Sequence, residues 1–310
     1  MANNLAKELK FLVNKYGVRP SKGLGQNFLI DENALKKIVS AADIKPTDTV
    51  LEIGPGLGIL TKELAKKAKK VIAVEKDEDM AGVLEKILFS DGIKNVMVVK
   101  QDILKINFQF PISNIQQKTK WQMPKSLEIG HSGIRNFIGN WELGIGNYKI
   151  VANLPYYVAS PIIRKFLELE NPPELMVLMV QKEVAQRICA KPPKMNLLAV
   201  SVQFYARPEI VSYVPKSSFL PRPKIDSAII KIIPRCSAYS SALFREQFFR
   251  IVKAGFSQPR KQIVNNFLKI IPDKEKIKNW LAKNEIKPDW RAEKLKIEDW
   301  LKLALTLRDC

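Results

Sequence analysis

Thr49–Leu64 reads TVLEIGPGLGILTKEL: an apolar run of strand length, glycines at positions 54, 56 and 58, then residues of helical character. Glycines in such a loop let the backbone approach a ligand closely and let the following helix aim its first N–H groups at it. The spacing is GxGxG with Ile59 next, so the GxGxxG dinucleotide fingerprint is not met. A strand, a glycine loop and a helix in that order predict an α/β fold with a parallel sheet.

The text on either side extends the pattern. KKVIAVEKD supplies a second strand ending at Glu75, 21 residues after Gly54. A carboxylate there can accept both hydroxyls of a ribose, in NAD enzymes and in other nucleoside-binding folds alike. A helix over Glu78–Phe89 leads to NVMVVKQDIL, a third strand with Asp102 just past its end. Asp102 can accept a hydrogen bond from an exocyclic amine, although an isolated Asp at that point is as often a turn residue. These three strands end on the same edge of the sheet, where open α/β sheets bind ligands. A bound nucleoside cofactor is therefore expected, of a kind these elements do not name.

KIVANLPYY, Lys149–Tyr157, is the next buried strand, and it ends in Asn153, Leu154, Pro155 and Tyr156. An amide, a proline-stiffened turn and an aromatic ring form a polar cradle beside a stacking surface, which suits a planar base carrying an amino group. A strand running into an ordinary Pro turn would read the same way. Further on, ASPIIRKFLEL and KEVAQRICA read as helices and ELMVLMVQ as a buried strand. LLAVSVQFYARPEI (197–210) and KIDSAIIKII (224–233) read as strands flanking VPKSSFLPRP, a loop carrying Phe219 and Arg222 and made basic by Arg222 and the adjoining Lys224.

Upstream, residues 3–16 place Leu5, Leu9, Leu12 and Val13 at helical spacing. SKGLGQNFLID follows, with Asp31 a good N-cap for a helix over Glu32–Ala42. Lys22, Gln26 and Asn27 in that loop could face a ligand, or simply belong to a capped turn. Phe108 to Tyr148 breaks the rhythm with polar, glycine-rich text and half-repeats (IGH, IGN, GIGN), as an insertion on the surface would. From Arg235 the strands stop and four segments of helical period follow. The expected division is 1–234, a Rossmann-like sheet domain with an insertion at about 108–148, and 235–310, a small basic helical domain.

Composition limits the function. The chain has 310 residues, with 51 Lys and Arg against 31 Asp and Glu, a formal charge of +20. The excess is spread over both parts: 34 basic against 22 acidic residues up to position 234, and 17 against 9 from Arg235 onwards. This balance favours a polyanionic partner, nucleic acid before membrane. No apolar run is long enough to span a bilayer and no signal peptide is legible at the start, so a soluble cytoplasmic protein is expected. One histidine, His131, and three scattered cysteines, Cys189, Cys236 and Cys310, argue against histidine-centred chemistry, a disulfide framework and a metal site.

LGQNFLID, VLEIGPGLGILT, VEKD, QDIL, VANLPYYVASP, MVQKEVAQRI and FLPRPKIDSAI, with GFSQPRKQIVNN and RAEKL, carry a resemblance. In order and spacing the chain resembles the KsgA-type rRNA adenine N6-dimethyltransferases, apart from extra residues between the QD and NLPY motifs. The resemblance implies a Rossmann-like methyltransferase sheet with a helical C-terminal domain, S-adenosyl-L-methionine as methyl donor, and two adjacent adenosines of small-subunit (16S) ribosomal RNA in a pre-30S particle as acceptor. It implies no metal, no membrane and a monomer. Carried over by position, Asn27, Leu29, Gly54, Gly56, Glu75, Asp102 and Asn153 line the donor site, and Asn153, Leu154, Pro155, Tyr156 and Phe219 form the acceptor site. Weighed against this reading are a methyltransferase of the antibiotic-resistance type acting on large-subunit rRNA, a NAD-dependent dehydrogenase, which GxGxG and the lack of a catalytic His disfavour, and a non-catalytic assembly factor with the same fold.

Overall fold

The computed structural model describes residues 4–18, 26–106, 147–156, 158–235 and 241–307. The interruption expected at Phe108–Tyr148 lies outside these, except for its last two residues, as do Lys22, His131, Cys236 and Cys310. In chain order the elements are α1 (Asn4–Tyr16), β1 (Phe28–Leu29), α2 (Glu32–Ala41), β2 (Thr49–Ile53), α3 (Ile59–Ala65), β3 (Lys70–Glu75), α4 (Glu78–Ser90) and β4 (Val96–Lys100). Then come β5 (Tyr148–Asn153), α5 (Ala159–Leu167), β6 (Leu175–Gln181), α6 (Lys182–Ile188), α7 (Leu197–Tyr205), β7 (Ala206–Val214), β8 (Phe219–Leu220) and β9 (Ser227–Pro234). Helices α8 (Ala242–Gly255), α9 (Ile263–Phe267), α10 (Lys274–Lys283) and α11 (Ile297–Thr306) complete the described chain.

Seven strands form one sheet in the order β4-β3-β2-β5-β6-β9-β7, and β1 pairs with β8 in a separate two-stranded ribbon. Strands β4 to β6 are parallel, while β9 runs antiparallel to both β6 and β7. The chain winds outward from β2 to β3 and β4, then returns to β5 on the other side of β2. That reversal opens a crevice at the carboxyl ends of β2 and β5, the usual ligand position in such a sheet. Alternate side chains of β2 enter different cores: Val50 packs with α1, α2 and α3, whereas Leu51 and Ile53 pack with α5 on the opposite face. Burial on both faces explains why the strand reads as a continuous apolar run.

One element differs from its sequence reading. Residues 197–205, expected as strand, form α7, and the strand begins only at Ala206. Asn196 caps the helix by accepting a hydrogen bond from the Ala199 N–H (3.0 Å). Val202 faces the sheet core, while Ala199, Val200 and Phe204 join a third core built by α8 to α11. A helix buried on two sides carries no polar stripe, so its periodicity is hidden. The C-terminal helices thus pack directly on the layer covering the sheet. They approach closely at Gly255, where a Cβ would strike the Trp300 ring.

Candidate active site

The glycine loop leaves β2 with Gly54, Gly56 and Gly58 all at positive φ. At Gly56 a Cβ would lie 3.0 Å from the Phe28 ring, so the missing side chain lets β1 close down over the loop. A Cβ on Gly54 would meet the Pro155 ring at 3.6 Å, which sets the turn after β5 against the turn after β2. The β1–β8 ribbon brings Leu29 opposite Phe219 although 190 residues separate them. Asp31 secures this arrangement: it caps α2 through the Asn33 and Ala34 N–H groups (2.9 and 3.1 Å) and accepts from the Ser218 hydroxyl at 2.7 Å.

Together these loops enclose a cavity of about 380 Å³ at the switch between β2 and β5. Every residue that sequence reading assigned to the donor or acceptor site lines it: Asn27, Leu29, Gly54, Gly56, Glu75, Asp102, Asn153, Leu154, Pro155, Tyr156 and Phe219. Glu75 ends β3 and is only 7% exposed. Its two oxygens accept from the Asp77 N–H (3.0 Å) and the Gly56 N–H (3.3 Å). Burial raises its pKa, and those backbone donors offset part of the rise. Asp102 behaves differently. Burial works to raise its pKa, but the Leu104 N–H and the Lys76 ammonium (3.0 and 3.1 Å) outweigh it and hold the carboxyl below its usual range. It therefore serves the turn after β4 while facing the cavity. Gln26, whose amide could have faced a ligand, donates to Asp77 at 3.3 Å.

At the other wall, Asn153 Nδ2 donates to the Asn27 carbonyl at 3.2 Å. The Leu154 N–H donates to the Met179 carbonyl (3.1 Å) and fixes the peptide that follows Asn153. Tyr156 is half-buried, and its hydroxyl shares a hydrogen bond with Ser227 Oγ at 2.9 Å. Burial raises the Tyr156 pKa, against the pull of the Ser227 bond and with a small push from Asp226, so the phenol stays neutral. Phe219 is 3% exposed and contributes its ring to the wall as a packed surface, not an open platform.

Sequence reading passed over Glu52. It sits inside the apolar run of β2, is 1% exposed, and lines the cavity. Its Oε2 and the Thr61 Oγ1 have no hydrogen-bond partner among the described residues. Burial pushes its pKa up to about 8, with nearby Thr61 pulling down and Glu75 pushing further up. An acid in the middle of an apolar strand was the available signal, since a buried carboxyl with an oxygen left unpaired is costly unless a site requires it.

A family model described as Ribosomal RNA adenine dimethylase matches residues 19–309. The chain belongs to this family. It is 39% identical to Ribosomal RNA small subunit methyltransferase A of Dehalococcoides mccartyi over 97% of this chain and 93% of that one. Among solved structures it is similar to a dimethyladenosine transferase from Plasmodium falciparum (TM-score 0.69, 28% identity, 91% of this chain and 98% of the other). It is also similar to the 23S rRNA methyltransferase ErmE (TM-score 0.68, 25% identity, 91% and 100%). The sheet order and the helical C-terminal part agree with the Rossmann-like methyltransferase fold expected from the sequence.

As a family member the chain is an S-adenosylmethionine-dependent rRNA adenine dimethyltransferase. The cavity fits such a donor. Its volume suits a nucleoside-sized ligand. Gly54 and Gly56 line the cavity with backbone, and the buried acid Glu52 in its wall would be drawn toward its charged form by a ligand bearing positive charge. Among the described residues no helix is long and apolar enough to cross a membrane.

Proposed function

We propose that this chain methylates N6 of two adjacent adenosines in a hairpin loop near the 3′ end of small-subunit ribosomal RNA. The product is N6-dimethyladenosine, formed on the pre-30S particle as the small subunit matures in the cytoplasm, with the enzyme acting as a monomer. The orientation of Asn153 carries the reading. Its amide nitrogen donates to the Asn27 carbonyl and the residue lines the cavity, so the side-chain oxygen is the atom that this contact leaves to accept from a ligand. That oxygen and the Leu154 carbonyl can each accept an N6–H bond. An adenine amine is a poor nucleophile because its lone pair is delocalised into the ring; two acceptors on its hydrogens hold the nitrogen nearer to tetrahedral and direct the lone pair.

Bound S-adenosylmethionine supplies an electrophilic methyl group on a positively charged sulfur. On the donor side, Glu75 at the end of β3 accepts the ribose hydroxyls and Asp102 the adenine amine. On the acceptor side, Tyr156 is held by Ser227 and Phe219 by the β1–β8 pairing, so the base meets ring surfaces already fixed in the wall. No group here needs to act as a strong base: an asparagine takes no proton at neutral pH, the Tyr156 phenol is neutral, and the surplus proton leaves to water after transfer. Catalysis is positioning and electrostatic preorganisation. Residues 235–310 add basic surface for the rest of the RNA.

Incubation with labelled donor and unmethylated small subunits tests the reading. N6-dimethyladenosine in the small-subunit rRNA is the expected product. Label in large-subunit rRNA instead would support the activity that the printed name of ErmE describes, and no label in either would leave an assembly factor.

A further inference from the structure

Tyr213 lies near the end of β7, half exposed at 50%, and the Lys182 ammonium sits 5.4 Å from its ring centroid. Neither side chain takes part in the cavity just described. Their place in the sheet is informative, because β7 and β9 meet β6 at the active edge: Ser227 pairs with Val214 on one side and Gln181 on the other. Ser227 is the residue whose hydroxyl anchors Tyr156. Tyr213 is therefore one residue and one strand spacing, about 4.8 Å, from the backbone that fixes the acceptor wall. Lys182 opens α6, and its backbone N–H donates to the Asp226 carbonyl at 3.0 Å.

The surroundings are basic. Arg222, Lys224 and the partly exposed Lys216 lie on the loop between β7 and β9. Two acids join the group: the exposed Glu183 next to Lys182, and Asp226, which accepts from the Lys216 N–H at 3.1 Å and is 4.0 Å from the Lys182 ammonium. Ile225, also exposed, adds apolar surface beside it. An exposed ring with a lysine over it, on a positive rim, is the combination that binds single-stranded nucleic acid: the ring takes a base of any sequence and the lysine takes a phosphate.

We propose that Tyr213 and Lys182 form a stacking platform for a nucleotide flanking the extruded adenosine, outside the methyl-transfer cavity. The proposal rests on the functional reading above. The target loop is unpaired, so a neighbouring base can turn outward and stack on Tyr213 while Lys182 moves from the ring face to that nucleotide's phosphate. This contact holds the strand on the acceptor side of the cavity as the target base enters.

The test uses the full chain with naked, unmethylated small-subunit rRNA and with assembled small subunits, in wild type, Tyr213→Ala, Tyr213→Phe and Lys182→Gln. Tyr213→Ala is expected to raise the RNA Kd and KM by about 5- to 100-fold, with donor Kd and melting temperature unchanged. Tyr213→Phe keeps the ring and stays within about twofold of wild type. Lys182→Gln lowers the slope of log affinity against log salt by about 0.7–0.9. Wild-type RNA affinity in Tyr213→Ala, or an equal loss in Tyr213→Phe, overturns the platform. A Tyr213→Ala defect seen on assembled subunits and absent on naked rRNA assigns the face to a ribosomal protein and also overturns it. Failure of the underlying reading is seen separately, because wild type itself would then leave small-subunit rRNA unmethylated.

Discussion

Replacing Glu52 by Gln should remove a pH effect. In the unfolded chain this carboxyl ionises at the ordinary 4.5; in the fold, burial pushes it up to about 8. Between those values the folded state holds a proton that the unfolded state has released, so stability falls as pH rises across that window and is greatest below it. Each pH unit is worth 1.36 kcal/mol, so wild type should lose about 2–3 kcal/mol between pH 5.5 and 7.5 through this group alone. Gln keeps the shape and cannot ionise. Urea unfolding of both proteins from pH 5 to 9 should give curves that diverge by that amount between pH 5.5 and 7.5, with Glu52→Gln the flatter. Donor binding sharpens the test, since a cation in the cavity lowers the Glu52 pKa: the stabilisation by S-adenosylmethionine should grow with pH in wild type and stay level in the variant. Parallel pH profiles would refute the idea that Glu52 is a buried neutral acid at the donor wall.

Three further substitutions follow from the same geometry. Asn153→Ala should lower methyl transfer by at least 100-fold while donor affinity, read by calorimetry, stays within a few-fold of wild type; near-normal turnover would remove the amide from the acceptor role. Gly56→Ala places a Cβ at φ 55° and 3.0 Å from the Phe28 ring, so stability should drop by about 1–2 kcal/mol and donor binding should weaken as β1 lifts from the loop. Gly255→Ala drives a methyl into Trp300 and should cost about 1–3 kcal/mol in urea unfolding, with donor Kd unaltered.

The sheet and its crevice were readable because buried parallel strands leave apolar runs and a glycine loop leaves a spacing. Gly54, Glu75, Asp102 and Asn153 each close a strand, and strand ends converge in space by topology alone. Other features depended on partners far away in the chain. The Phe28–Leu29 and Phe219–Leu220 strands are two residues each and exist only because they meet. Phe219 was legible as part of the acceptor site, but not that this pairing buries its ring in the cavity wall. Helix α7 was mistaken for strand because two cores consume its polar face. Glu52 was missed for the opposite reason: one acid among Val50, Leu51 and Ile53 does not disturb a strand pattern, yet it alters the chemistry of the cavity more than its neighbours do.

Helix α7 also sets how the protein can be divided. Chain order places a natural cut near Arg235, after the last strand of the sheet, but the hydrophobic support of α8 to α11 is drawn in part from Met195, Ala199, Val200 and Phe204. A fragment ending at that cut would keep every strand and present those four side chains to water, together with a face prone to self-association. The helical fragment alone would lack one wall of its own interior. Melting of the intact chain should accordingly be a single cooperative event, and a transplanted helical tail would have to carry 195–205 with it.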